Sequence, residues 1–125
     1  MEKKFATERR KYHRFNVDLP VKYGSAPIFF RNARAANASE GGLLVYLPEE
    51  MRIGQHLTLK LFFSSRSEFN ILETFAQVVW KNIHLRKNWT WDYCTGVKFV
   101  DIPPEHKNEL KKFLVNIGQK LPHTA

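Results

Sequence analysis

The sequence predicts a β-dominated fold: an antiparallel barrel or sandwich of about six strands, followed by one amphipathic helix. Three observations carry that expectation. Apolar and polar residues alternate through most of the chain, Gly and Pro interrupt the alternation at short intervals, and the period becomes helical after Pro103 and Pro104.

Each element can be justified in turn. In FNVDLPVKY, Phe15, Val17, Leu19, Val21 and Tyr23 share one face, while Asn16, Asp18, Pro20 and Lys22 share the other. Pro20 has no N–H to give, so this strand is expected to lie at an edge or to be unpaired on one side there. A turn at Gly24 to Pro27 leads into Ile28, Phe29 and Phe30, read as a second strand that runs on towards RNARAANASEGG. LLVYL is a short strand stopped by Pro48 and Glu49. HLTLKLFF alternates through Leu57, Leu59, Leu61 and Phe63, with SSRSEFN read as the loop that follows. ILETFAQVVWKN is long and β-rich, and WDYCTGVKFV sets Trp91, Tyr93, Val97 and Phe99 on one face. Beyond the two prolines, Leu110, Phe113, Leu114, Ile117 and Leu121 recur at helical spacing.

Composition narrows the function classes. The chain has 125 residues, 43% of them hydrophobic, enough for one domain with its own core. Twenty Lys and Arg against twelve Asp and Glu leave a net charge of +8, which attracts polyanions: nucleic acid, nucleotides or an anionic membrane. One cysteine, Cys94, excludes an internal disulfide. With no signal-like or bilayer-length apolar run, the expectation is a soluble, cytoplasmic protein. The five histidines show no metal-ligand spacing, Cys94 has no sequence-visible base beside it and reads as a structural thiol, and no nucleophile elbow, Walker loop or paired catalytic carboxylates occur. No enzyme, no metal and no cofactor are expected.

Two short stretches stand out. ERRKYHRF, residues 8 to 15, packs Arg9, Arg10, Lys11, His13 and Arg14 just ahead of the first strand. NASEGG, residues 37 to 42, lies between two strands. Its Asn37 and Ser39 can accept from backbone N–H groups in a tight turn, and Gly41 and Gly42 permit backbone conformations closed to other residues. Taken alone it is an ordinary polar turn; its functional alternative is an anion cradle of N–H groups and a hydroxyl.

Arg10 and Arg14 form an RxxxR element, and Asn37, Ser39 and Gly42 form a [D/N]xSxxG element further on. This pairing resembles the PilZ domain, a bacterial receptor for cyclic di-GMP, and TGVKFVDIPPEHKNELKKFL, from Thr95 to Leu114, is similar to that family's last strand passing into its helix. The resemblance implies a six-stranded antiparallel β-barrel with a C-terminal helix. The chain then divides into a basic arm (1–14), a barrel (15–101) and a helix (103–121) within one domain. It also implies that Arg10 and Arg14 bind guanine and phosphate, Asn37 reads a guanine edge, Ser39 hydrogen-bonds the ligand and Gly42 gives steric room. Arginine suits such a ligand because its fork matches guanine O6 and N7 and its plane stacks on purines. The family often has Asp where this chain has Asn37, a choice that bears on affinity.

Arg9 adds a third guanidinium, which suits an intercalated dimer of cyclic di-GMP better than a single molecule. Gly41 and Trp80 are second-rank ligand candidates; a strand-end tryptophan such as Trp80 more commonly belongs to a core. KNIHLRKNW, from Lys81 to Trp89, reads as a solvated hairpin tip ahead of a nucleic-acid contact. The expected output is an arm ordered by ligand over the barrel, offering a changed surface to an unidentified downstream protein. Two rival readings are an adaptor working through protein contacts alone and a small basic barrel that binds single-stranded nucleic acid.

Overall fold

The structure, a computed structural model, describes residues 13–25, 31–65 and 68–120. Six antiparallel strands are followed by one helix: β1 (Phe15–Gly24), β2 (Arg31–Ala38), β3 (Gly42–Leu47), β4 (His56–Ser65), β5 (Glu68–Leu85), β6 (Trp91–Asp101) and α1 (Pro104–Lys120). The strands close into a barrel in the order β1-β2-β3-β6-β5-β4. Closure removes both sheet edges, which decides for the barrel over the sandwich.

Alternation does the folding work. Val21 and Tyr23 of β1, Leu43, Val45 and Leu47 of β3, Leu57, Leu59 and Leu61 of β4, Leu72 and Val78 of β5 and Val97 of β6 all point inward and are buried. Lys22 and Asp18, between the inward residues of β1, are exposed. Pro20 pairs with Arg34 of β2, while pairing of β1 with β4 begins only at Val21. The missing N–H therefore falls just outside the β1–β4 ladder.

Helix α1 begins at Pro104, whose fixed φ suits a first helical turn, and Lys107 N–H donates to the Pro103 carbonyl at 3.0 Å. It packs against β4, β5 and β1. Leu110 and Leu114 are fully buried in the barrel core, and Phe113 meets Phe63 with ring centroids 5.0 Å apart. Burying the two leucines stabilises the docking by roughly 3–6 kcal/mol. Near its end, Gly118 faces the Phe15 ring so closely that a β-carbon there would stand 2.7 Å from it. The start of β1 is thus wedged against the helix.

Two readings of the sequence change, and a third falls outside the described residues. The residues Ile28, Phe29 and Phe30, expected to open the second strand, lie outside the described residues. β2 itself is RNARAANA, a strand whose inward residues are small alanines, Ala35 and Ala38 being fully buried. SSRSEFN is only partly a loop, because β4 runs to Ser65 and β5 starts at Glu68. Of KNIHLRKNW, Lys81–Leu85 is the end of β5; the turn proper begins at Arg86.

Candidate functional site

Two β-bulges build the outer face on which the motif residues meet. On β2, Ala35 points inward, so strict alternation would send Asn37 inward as well. The register between β2 and β3 shifts between Ala35 and Asn37, so Ala38 becomes the buried residue and Asn37 turns outward, half-buried. On β5, Val78 is buried and the β5–β6 register shifts between Val78 and Trp80, which turns Trp80 outward too. Trp80 then pairs with Gly96, Gly96 with Leu44, Leu44 with Asn37 and Asn37 with Asn16. Partners across a ladder share a face, so Asn37 and Trp80 lie in one row on the outside of the barrel.

Arg14 reaches this row from the side. Phe15, the next residue, is held by Gly118 and pairs with Ala38. That places the Arg14 Nη1 donor 3.0 Å from Asn37 Oδ1. The Asn37 carbonyl oxygen therefore accepts from Arg14, within strand β2, and the polar turn is braced by Ser39 instead. Ser39 is buried; its Oγ accepts from Gly41 N–H at 3.1 Å, and its own N–H donates to the Gly42 carbonyl at 3.0 Å. Gly41 is tied to β6 through its carbonyl, which accepts from Phe99 N–H at 2.8 Å.

Gly42 is required for a different reason than the sequence suggested. Among the described residues, the only positive φ values belong to Gly54 and Trp89, so neither Gly41 nor Gly42 uses the left-handed region. A β-carbon on Gly42 would stand 2.1 Å from the Val97 carbonyl oxygen. The residue is excluded from bearing a side chain by the approach of β3 to β6. Gly96 plays a comparable part, since its own β-carbon would meet the Trp80 indole at 2.3 Å. The indole lies flat over the place a side chain would fill, 41% exposed, as a platform beside the row. Arg9 and Arg10 lie outside the described residues.

Further along the same face, a cavity of about 590 Å³ opens between β2, β3 and the β5–β6 hairpin, lined among others by Arg34, Tyr46, His84, Arg86 and Asp92. Asp92 is buried. Its Oδ2 accepts from both Arg86 Nε at 3.0 Å and Nη2 at 2.7 Å, and its Oδ1 lies 2.9 Å from His84 Nδ1. Burial alone would raise its carboxyl, but the hydrogen bonds and charges of Arg86 and His84 outweigh that and hold it below the usual carboxylate range. Burial pushes the Cys94 thiol up, the opposite of what an attacking thiolate needs. Sequence reasoning missed this cluster and both bulges. The visible trace of the bulges is the break in alternation at Ala36 and at Val79. Among the described residues no group of three or more His, Cys, Asp or Glu could hold a metal, and no helix is long and apolar enough to cross a membrane.

A six-stranded barrel capped by one helix, with an arginine–asparagine contact beside a glycine turn on its outer face, defines a small class of domain. A family profile for the PilZ domain matches residues 8–116, and the chain belongs to that family. Three solved structures show the same fold. The Bacillus subtilis inhibitor of motility (MotI/DgrA) superposes with a TM-score of 0.77 at 19% identity, covering 90% of this chain and 52% of that one. The PilZ domain with c-di-GMP of YcgR from Escherichia coli gives 0.70 at 14% identity, covering 93% and 96%. The K. pneumonia MrkH-c-di-GMP complex gives 0.70 at 12% identity, covering 94% and 55%. The chain thus spans about half the length of the first and third of these. No curated protein matches the sequence.

Proposed function

We propose that this chain is a cyclic di-GMP receptor that acts by binding, with no chemical step, in the cytoplasm. The observation that carries the reading is the Arg14–Asn37 contact, which sets a guanidinium beside the braced Ser39–Gly42 turn in the row that ends at Trp80. Membership of the PilZ family and the c-di-GMP complexes among its structural relatives support it.

Arg10 and Arg14 take guanine and phosphate. The fork of one guanidinium matches guanine O6 and N7, while its plane is free to stack on a base. Asn37 reads a guanine edge, its Oδ1 passing from Arg14 to the ligand. The Ser39 hydroxyl hydrogen meets a phosphate, Gly41 and Gly42 letting it approach. Trp80 offers its indole to a base. With Arg9 there are three guanidinium groups, enough to match the four phosphates of an intercalated dimer better than the two of a single molecule.

Binding then folds the arm of residues 1–14 onto the barrel of residues 15–101 and changes the surface offered to a downstream protein. Calorimetry tests ligand and stoichiometry together: saturation at two ligands per chain supports the dimer, and saturation at one removes it. Hydrogen exchange in residues 5–14 tests the output. Equal exchange with and without saturating ligand would exclude an arm that orders.

A further inference from the structure

We propose that the β5–β6 hairpin tip is a shallow anchor for an anionic membrane surface, a role that goes beyond nucleotide binding and does not depend on it. The hairpin outruns the barrel. β4 pairs with β5 only as far as Gln77, and β3 with β6 only as far as Tyr93, whereas β5 and β6 pair with each other to Leu85 and Trp91. Among the described residues, the inward face of the barrel therefore continues into a stretch that no strand faces. On it Ile83 is 65%, Leu85 60% and Trp91 57% exposed. Such a cluster on one projecting ribbon is more than scattered surface apolarity.

The turn adds a second, independent observation. Arg86 N–H donates to the Thr90 carbonyl and Trp89 N–H to the Arg86 carbonyl, so Lys87, Asn88 and Trp89 form a three-residue hairpin loop. The last position of such a loop is left-handed and normally falls to Gly or Asn. Here it is Trp89, with φ 68° and 81% exposure. A bulky residue is strained there, and an indole 81% exposed has little packing to compensate. Its place in the loop at the tip of the hairpin makes sense if the compensation comes from outside.

Charge and shape choose the occupant. The tip carries Arg86 and Lys87 against Asp92, on a chain with a net charge of +8, so the complementary surface is anionic. Trp89 stands at the turn, while Trp91, 57% exposed, also borders the cavity beside β2 and β3; the rings of both favour the headgroup level of a bilayer. Among the described residues no strand lies beside the free edge of β5 beyond Val78, which keeps the backbone out of hydrocarbon and limits entry to side chains. Cationic attraction plus a few apolar side chains is the pattern of reversible interfacial binding.

The test is sedimentation of the full chain with vesicles of phosphatidylcholine mixed with phosphatidylglycerol, and with phosphatidylcholine alone. Binding to the mixed vesicles only, with a blue shift of tryptophan emission, is expected. Trp89→Gly suits the left-handed φ, so the fold is kept; it should weaken vesicle binding about tenfold, and Ile83→Thr with Leu85→Thr should act likewise. Both variants should bind cyclic di-GMP as the parent does. Failure to bind mixed vesicles at low salt would overturn the anchor, as would binding indifferent to these substitutions, which would reflect charge alone. A hairpin buried in a solution dimer, or against an acidic protein instead of lipid, would overturn it too.

Discussion

Arg14 and Asn37, 23 residues apart in the chain, meet through a 3.0 Å hydrogen bond on the outside of the barrel. The contact joins the two motifs through side chains, and it exists because a bulge at Ala36 turns Asn37 outward while Phe15 is held against Gly118. Asn37→Asp converts a neutral acceptor into a charged one. The variant should bind cyclic di-GMP more tightly by about 1 kcal/mol, roughly fivefold, because a carboxylate accepts more strongly from both arginine and guanine N–H groups. Calorimetric affinities of the two proteins check this; equal binding by the variant would show that Asn37 does not read the ligand.

Gly42→Ala should destabilise the fold itself. Its β-carbon would collide with the Val97 carbonyl, a backbone atom that only a shift of β6 can move. A loss of about 2 kcal/mol or more is expected from denaturant unfolding, in the absence of any nucleotide. An unchanged unfolding midpoint would mean that the strands part easily at this point.

Trp80 and Gly96 allow the ligand role of the indole to be separated from its packing. Gly96→Ala displaces the indole from its seat, and Trp80→Ala removes it; Trp80 is 41% exposed, so neither change should cost more than about 1–2 kcal/mol of stability. If the indole serves a base, both variants weaken cyclic di-GMP binding and the parent's tryptophan emission changes on titration. Unaltered affinity in both would return Trp80 to a packing role.

Acid should act through Asp92. Its folded-state carboxyl is held low by Arg86 and His84 despite burial, so the folded protein takes up that proton less readily than the unfolded chain. The stability it contributes is complete above the unfolded value of about 3.9 and is lost as pH falls through the lower folded value. Asp92→Asn should flatten the acid limb of a pH–stability profile below about pH 4, and a limb of undiminished slope would assign acid sensitivity elsewhere.

Alkali should act through Tyr23. Burial, with the charge and hydrogen bond of Glu49, pushes its hydroxyl from 10.0 to about 12. Its contribution is intact below pH 10 and is lost as pH rises towards 12, because the unfolded chain releases the proton first. Tyr23→Phe should lessen that loss in alkaline unfolding.

The fold was legible wherever one face of a strand is apolar and the other polar, as in FNVDLPVKY and HLTLKLFF. It was obscure in RNARAANA, because alanine fills the inward positions where neighbouring strands come close, and alanine signals no strand. Motif residues were legible as residues, whereas their placement was not. Asn37 and Trp80 share a face only because each strand carries one extra residue ahead of them, and a bulge leaves just a skipped beat in the alternation. The Asp92–His84–Arg86 cluster could not be read either, since its members face one another only once Leu85 pairs with Trp91.

Calorimetric titration with cyclic di-GMP, beside GMP as a control and an Arg10→Ala, Arg14→Ala double variant, tests the receptor reading most directly. The account predicts saturable binding of cyclic di-GMP that GMP does not reproduce and that the double variant loses. Absence of saturable binding, or binding that survives the loss of both arginines, would contradict it.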